Sequence, residues 1–127
     1  MKLRIKGNSL RLRVSRSEVA RILRLERVEE TIHFALHPNA KLTYALKQEQ
    51  SVRALTVGYA EGEVTVLVPA ALANTWCSTD LVGIAGSVSL GMIGSLDLLI
   101  EKDFACLDLS DEKNQDTFAN PHAGAVC

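Results

Sequence analysis

"KLRIKGNSLRLRVSRSEVARIL", residues 2–23, holds two alternating runs, a two-residue break and the start of a helix. Gly followed by Asn between alternating runs signals a hairpin, because Gly7 takes the positive φ required at the first position of a type II′ turn. With Gly7 and Asn8 as the loop, Lys6 pairs with Ser9, Ile5 with Leu10, Arg4 with Arg11, Leu3 with Leu12 and Lys2 with Arg13. Leu3, Ile5, Leu10, Leu12 and Val14 then share one face. Lys2, Arg4, Lys6, Arg11 and Arg13 share the other, where like charges directly opposed cost a few tenths to ~1 kcal/mol per pair unless compensated. An acidic neighbour or an anionic ligand is expected against them.

Ser15-Arg16-Ser17-Glu18 is a capping box: the Ser15 hydroxyl accepts from the Glu18 amide while the Glu18 carboxylate reaches back to the Ser15 amide. Val14 and Val19 stand at the two positions of a hydrophobic staple. Val19, Ile22 and Leu23 continue an apolar stripe at helical spacing, which predicts a helix over 16–26 with Arg16, Arg21 and Arg24 toward water.

Beyond the helix, Thr31–Leu36 and Leu42–Lys47 alternate around a turn at His37–Ala40, and Val52–Ala60 and Glu63–Val68 meet through Glu61-Gly62. Pro69 suits the first turn of a short helix over 70–77. Val82–Leu90 and Leu96–Leu107 form a last pair across Gly91–Gly94. About eight short strands in sequential hairpins with two short helices predict an α+β domain. Its predominantly antiparallel sheet either curls into a partial barrel or splits in two. The pattern predicts one domain over residues 1–109 and a polar, loosely held tail over 110–127, with no internal repeat and no linker.

Composition sets outer bounds. The chain has 127 residues, 47% of them apolar, enough for one ordinary core. Its net charge of −1 hides a polarity. Residues 1–27 carry nine Lys/Arg and two Asp/Glu, and residues 28–127 carry five and thirteen, so the balances are +7 and −8. Three cysteines, Cys77, Cys106 and Cys127, lie far apart with no C-x-x-C, and the N-terminus lacks the continuous apolar run of a leader. These features point to a reducing cytoplasm. Leu81–Ile100 contains Asp97, glycines and serines, and reads as two strands rather than a membrane span, so no membrane association is expected.

Two resemblances bear on function. "GNSLRLRVSRSEVARIL", residues 7–23, resembles the opening of the AbrB/MazE swapped-hairpin family. That likeness implies a dimer whose chains interleave their hairpins and present Arg4, Lys6, Arg11 and Arg13 to DNA. The chain departs from the family pattern at Ser15, where a Pro is usual. Taken together, "LRIKGNSLRLR", "RVEETIHF", "LTYAL" and "LLIEKDFACLD" are similar to a family of small uncharacterised bacterial proteins, a likeness that implies no activity.

No catalytic motif is complete. Gly86–Gly91 has the glycine spacing of a phosphate loop, yet Met92-Ile93 stands where Lys and Ser/Thr are needed. Ser87–Gly91 lacks the first glycine of a nucleophile elbow. His33 and His37, four apart on a strand, are separated by ~13 Å, too far for a shared metal. Cys106 reads as a small buried hydrophobe. Glu101, Asp103 and Asp108 are the carboxylates able to hold a cation, though solvated or salt-paired acids are the ordinary reading of such a group.

The reading that follows is a non-catalytic domain with no cofactor or metal, recognising an anionic small molecule or an acidic protein through Lys2, Arg4, Lys6, Arg11 and Arg13. Nucleic acid is an alternative partner. A metal-assisted hydrolase or phosphate-handling enzyme that grips substrate with the basic face and works through Glu101 or Asp103 is a further alternative. The pattern leaves oligomeric state open.

Overall fold

A computed structural model describes residues 1–104 and 116–118. In chain order the described elements are β1 (Lys2–Lys6), β2 (Ser9–Val14), α1 (Arg16–Leu23), β3 (Val28–His33), β4 (Lys41–Glu49), β5 (Thr56–Ala60), β6 (Glu63–Pro69), α2 (Ala70–Ser78), β7 (Gly83–Ser89) and β8 (Ser95–Lys102). The α+β class and the four hairpins stand as read. The β1–β2 register matches the expected pairs one for one, Gly7 has φ +55°, and both bonds of the Ser15–Glu18 capping box form.

Several boundaries move. The first helix ends at Leu23 rather than residue 26, because Leu25 turns to φ +66° and redirects the chain. The next strand then begins at Val28, which is drawn into the core, and ends at His33 instead of running over 31–36. Phe34 N–H bonds to Ala40 C=O and closes a loop of seven residues, 34–40. The strand after 52 forms only from Thr56, preceded by the buried Leu55. Of the expected tail, Asp116, Thr117 and Phe118 are described, and the rest lies outside the described residues, as do Cys106, Asp108 and Cys127.

The strands form two mixed sheets, β1-β2-β8-β7 and β3-β4-β6-β5, and no closed barrel. Each sheet joins two antiparallel hairpins through one parallel pair, β2 with β8 and β4 with β6. The inner faces meet in a core of Leu12, Val14, Ile22, Leu46, Val66, Val68, Trp76, Leu98 and Ile100.

This topology corrects the expectation of no internal repeat. β1-β2-α1-β3-β4 and β5-β6-α2-β7-β8 are the same ββαββ unit, and each unit gives one hairpin to each sheet. Equivalent positions lie 54 residues apart: Lys2↔Arg13 and Ser9↔Asp97 in one sheet correspond to Thr56↔Leu67 and Glu63↔Thr43 in the other. The buried pairs Leu12 and Val66, Val14 and Val68, Ile22 and Trp76, and Leu46 and Ile100 keep that offset. The repeat escapes a sequence reading because it conserves only which positions face inward, a demand that many apolar residues meet equally.

Both helices pack on each other at one end of the sandwich, and the four hairpin ends lie at the other. There Asp97 N–H bonds to Asn8 C=O and Thr43 N–H to Gly62 C=O, again 54 apart with the partners exchanged. At the helix end Gln48 Nε2 donates to Ile22 C=O at 2.8 Å, and Lys102 Nζ, from the equivalent strand position, donates to Thr79 C=O at 2.6 Å. Each unit thus ties the C-terminal end of its helix to its own final strand.

At the helix end, Glu18 ties the start of β1 to the start of α1. Its Oε1 accepts from Ser15 N–H at 3.0 Å and its Oε2 from the Met1 amine at 2.8 Å. Burial raises its pKa, but the bonds from the Met1 amine and Ser15 together outweigh that and leave it below the usual carboxylate value. A depressed pKa means that this stabilisation is present above the unfolded-state value, ~4.3, and lost as pH falls through the folded one. Glu18→Gln is expected to lower stability by about 1 kcal/mol at pH 7. The gap between the two proteins in denaturant unfolding should close as pH drops toward ~3.

Candidate functional site

Alternation places the cations of β1 and β2 on the outer face of the first sheet. Across all four strands the rows read Lys2–Arg13–Glu101–Gly83, Arg4–Arg11–Leu99–Ala85 and Lys6–Ser9–Asp97–Ser87. All five predicted residues are therefore on one surface. They do not share one fate.

Glu101 takes two of them. Arg11 Nε donates to Glu101 Oε1 at 2.5 Å and Arg13 Nε to the same oxygen at 2.9 Å, and the Glu101 side chain is only 14% exposed. Lys2 Nζ lies 3.0 Å from Asp103 Oδ2. These bridges are the acidic neighbour that the opposed like charges of the hairpin demanded. Among the described residues, Arg4 and Lys6 have no ion pair. With Ser9 and Arg11 they flank an open concavity of about 740 Å³, whose far wall is Ser87 and Asp97 and whose floor includes Leu99 and Ala85. The Ser87 hydroxyl donates to Asp97 Oδ1 at 3.0 Å.

Among the described residues, five cations stand against Asp97, Glu101 and Asp103 on this face. The second sheet differs: Arg27 bridges Glu29 and Glu63, and the positions equivalent to the five cations are Thr56, Gly58, Ala60, Thr65 and Leu67. The hydrogen bond that Arg27 donates to Glu63, partly opposed by burial, pushes the guanidinium above its ordinary value.

Sequence reasoning had no access to Asp97, Ser87, Leu99 and Ala85 as parts of this site. They arrive through the parallel pairing of β2 with β8, whose partners are more than eighty residues apart. The hydrolase alternative needs room between Glu101 and the arginines, and direct bridges fill it. His33 ends β3, while His37 sits in the 34–40 loop with its Nδ1 accepting from Asn39 N–H at 3.1 Å. Among the described residues, no three His, Cys, Asp or Glu side chains gather as a metal site. Burial pushes the Cys77 thiol up, only partly opposed by Lys102. Lys102 itself is lowered by burial, with Cys77 and Asp80 opposing, and its Nζ lies 5.4 Å from the Phe118 ring centroid.

At the start of α1, Asp116 accepts from Ser17 N–H at 2.9 Å and from the Ser17 hydroxyl at 2.5 Å, and these bonds, the hydroxyl's first, hold its carboxyl below the usual range. That helix end is already occupied by the chain's own acid.

Fold and site together define a duplicated ββαββ sandwich with one basic and one mixed sheet face. The chain belongs to a family of unknown function, DUF7009, whose model matches residues 1–122. No curated protein and no solved structure matches it. Among the described residues, no helix is long and apolar enough to cross a membrane.

Because one carboxylate restrains two arginines, Glu101→Gln is expected to cost about 1–2 kcal/mol in denaturant unfolding. Arg4→Ala should change stability by less than about 0.5 kcal/mol. The contrast between the two separates the restrained part of the face from the available part.

Proposed function

We propose that this protein recognises an anionic partner through the outer face of the first sheet, with Arg4 and Lys6 as the primary contacts and Arg11 completing them. The observation that carries this reading is the inequality of two equivalent sheets. Gly58 and Ala60 occupy in β5 the places that Arg4 and Lys6 occupy in β1, and β5 pairs with β6 in the same register. The architecture thus forms without cations at those positions, so their presence on one face is not a requirement of folding. Arg11 and Arg13, held by Glu101, are pre-oriented and lose less side-chain entropy on binding than free arginines would.

DNA binding is a second reading with one observation in its favour. The two ββαββ units interleave their hairpins, which is the arrangement the AbrB/MazE resemblance implies for a pair of chains. Against it, only one unit carries the basic strand.

The test is titration with heparin, a mixed-sequence duplex and inorganic phosphate, using the intact protein and Arg4→Ala/Lys6→Ala. The double variant is expected to lose at least about tenfold in affinity, the equivalent of ~1.4 kcal/mol, with its thermal midpoint nearly unchanged. If Arg4, Lys6 and Arg11 each meet a phosphate, binding to the duplex should weaken about 40-fold between 50 and 200 mM salt, from a slope of ~−0.9 per contact. Binding that survives the double substitution would refute the assignment of these residues. Duplex binding with no salt dependence would remove the DNA reading alone.

A further inference from the structure

The hairpin end of the sandwich is apolar and uneven. Leu36 and Met92 stand fully clear of the fold, and Ile93, Tyr59, Phe34 and Ile5 are 85, 73, 65 and 60% exposed. All six belong to hairpin ends or to the strand residues beside them. The two long connections, 34–40 and 90–94, contain no carboxylate and carry four of the six. The two short turns, Gly7-Asn8 and Glu61-Gly62, lie beside Ile5 and Tyr59, which occupy equivalent positions in β1 and β5.

Long and short ends alternate around this surface. Within each sheet a short-turn hairpin lies beside a long-loop hairpin. Across the sandwich β7 packs near β5, where Gly86 faces Leu55, and the Met1 amine at the start of β1 lies 3.6 Å from Glu30 on β3. Short therefore sits over long at both corners. The surface has two projecting loops on one diagonal and two recesses on the other. A two-fold axis lying across such a surface sets each projection of one copy over a recess of the other.

We infer that this end is an interface between two copies of the chain, joined end to end about such an axis. The six residues offer roughly 700–1,000 Å² per copy at ~150–200 Å² for each large side chain fully exposed. A stable interface buries ~800 Å² per partner. Charge selects the arrangement in which like sheets meet, because it sets Glu61 of one copy against Lys41 of the other. An isologous contact of this kind closes at two copies. It also leaves the basic sheet face uncovered, so the inference is independent of the anion-binding reading.

The experiment is the solution mass of the full chain by light scattering at about 100 µM, above the ~µM weakest dissociation constant for interfaces of this size. It is repeated with Leu36→Asp and with Met92→Asp, both placed where the side chain touches nothing, and circular dichroism confirms that each variant stays folded. The expected result is twice 13.8 kDa for the parent and 13.8 kDa for each variant. A parent at 13.8 kDa, or variants that stay doubled, would overturn the proposal. So would a monomeric parent that co-sediments with phosphatidylcholine/phosphatidylglycerol vesicles and loses that binding on Leu36→Asp, since the end would then serve a lipid surface.

Discussion

Neither ββαββ unit owns a sheet, and the structure depends on that constraint. β1–β2 finds its inner neighbour in β8, and β3–β4 finds its own in β6, so each hairpin is completed by a strand of the other unit. A hairpin alone is marginal in water, whereas four strands with a buried face are stable. The two parallel pairs, β2 with β8 and β4 with β6, are therefore the joints through which the units become one body. Each joint also delivers chemistry, because β8 brings Glu101 and Asp97 to the edge of the basic hairpin.

The helices serve the same joints from one end. Ile22 of α1 and Trp76 of α2 are both fully buried beneath the parallel pairs, and they occupy equivalent positions despite their different size. Trp76 Nε1 donates to Val82 C=O at 3.1 Å, so the larger ring brings its polar atom to the entry of β7 and remains satisfied. Gln48 and Lys102 show the same economy: an amide and an ammonium in one structural role. Lys102 carries a charge into a site where Gln48 needs none, and burial lowers its pKa accordingly, although Phe118 and Thr79 C=O meet the ammonium directly.

What could be read in the sequence was local. The Gly7-Asn8 turn fixes a register over ten residues, and Ser15 and Glu18 fix a helix start over four, because each signal rests on chemistry within reach of a few bonds. The alternation of Lys2, Arg4 and Lys6 with Leu3 and Ile5 likewise assigned them to one face before any partner was known. The long-range pairing was not legible. Nothing in Ser9–Val14 announces Asp97–Lys102 as its neighbour, since a parallel register is set by the packing of both inner faces rather than by a turn. The repeat was hidden for a related reason: Arg4 against Gly58, or Ser15 against Pro69, share a structural place and no side-chain chemistry. Both Ser15 and Pro69 precede a helix, one by accepting a bond and the other by its fixed φ.

Duplication gives the basic face an internal control that a single-copy fold lacks. In most proteins a surface arginine is hard to assign, because its contribution to folding and its contribution to binding cannot be compared at a matched position. Here the second sheet holds the matched positions, and it holds them with Thr56, Gly58, Ala60, Thr65 and Leu67 in the same register. Repulsion among five cations is a cost the second sheet avoids altogether. The first sheet offsets part of it with Glu101 and Asp103 and leaves Arg4 and Lys6 without an acidic partner among the described residues. The third acid of this face, Asp97, stands in the Lys6 row and takes the Ser87 hydroxyl, and among the described residues it makes no ion pair with Arg4 or Lys6. In the Arg4 row β8 presents Leu99 and β7 presents Ala85, apolar side chains that put no acid directly across from Arg4 on the floor of the concavity.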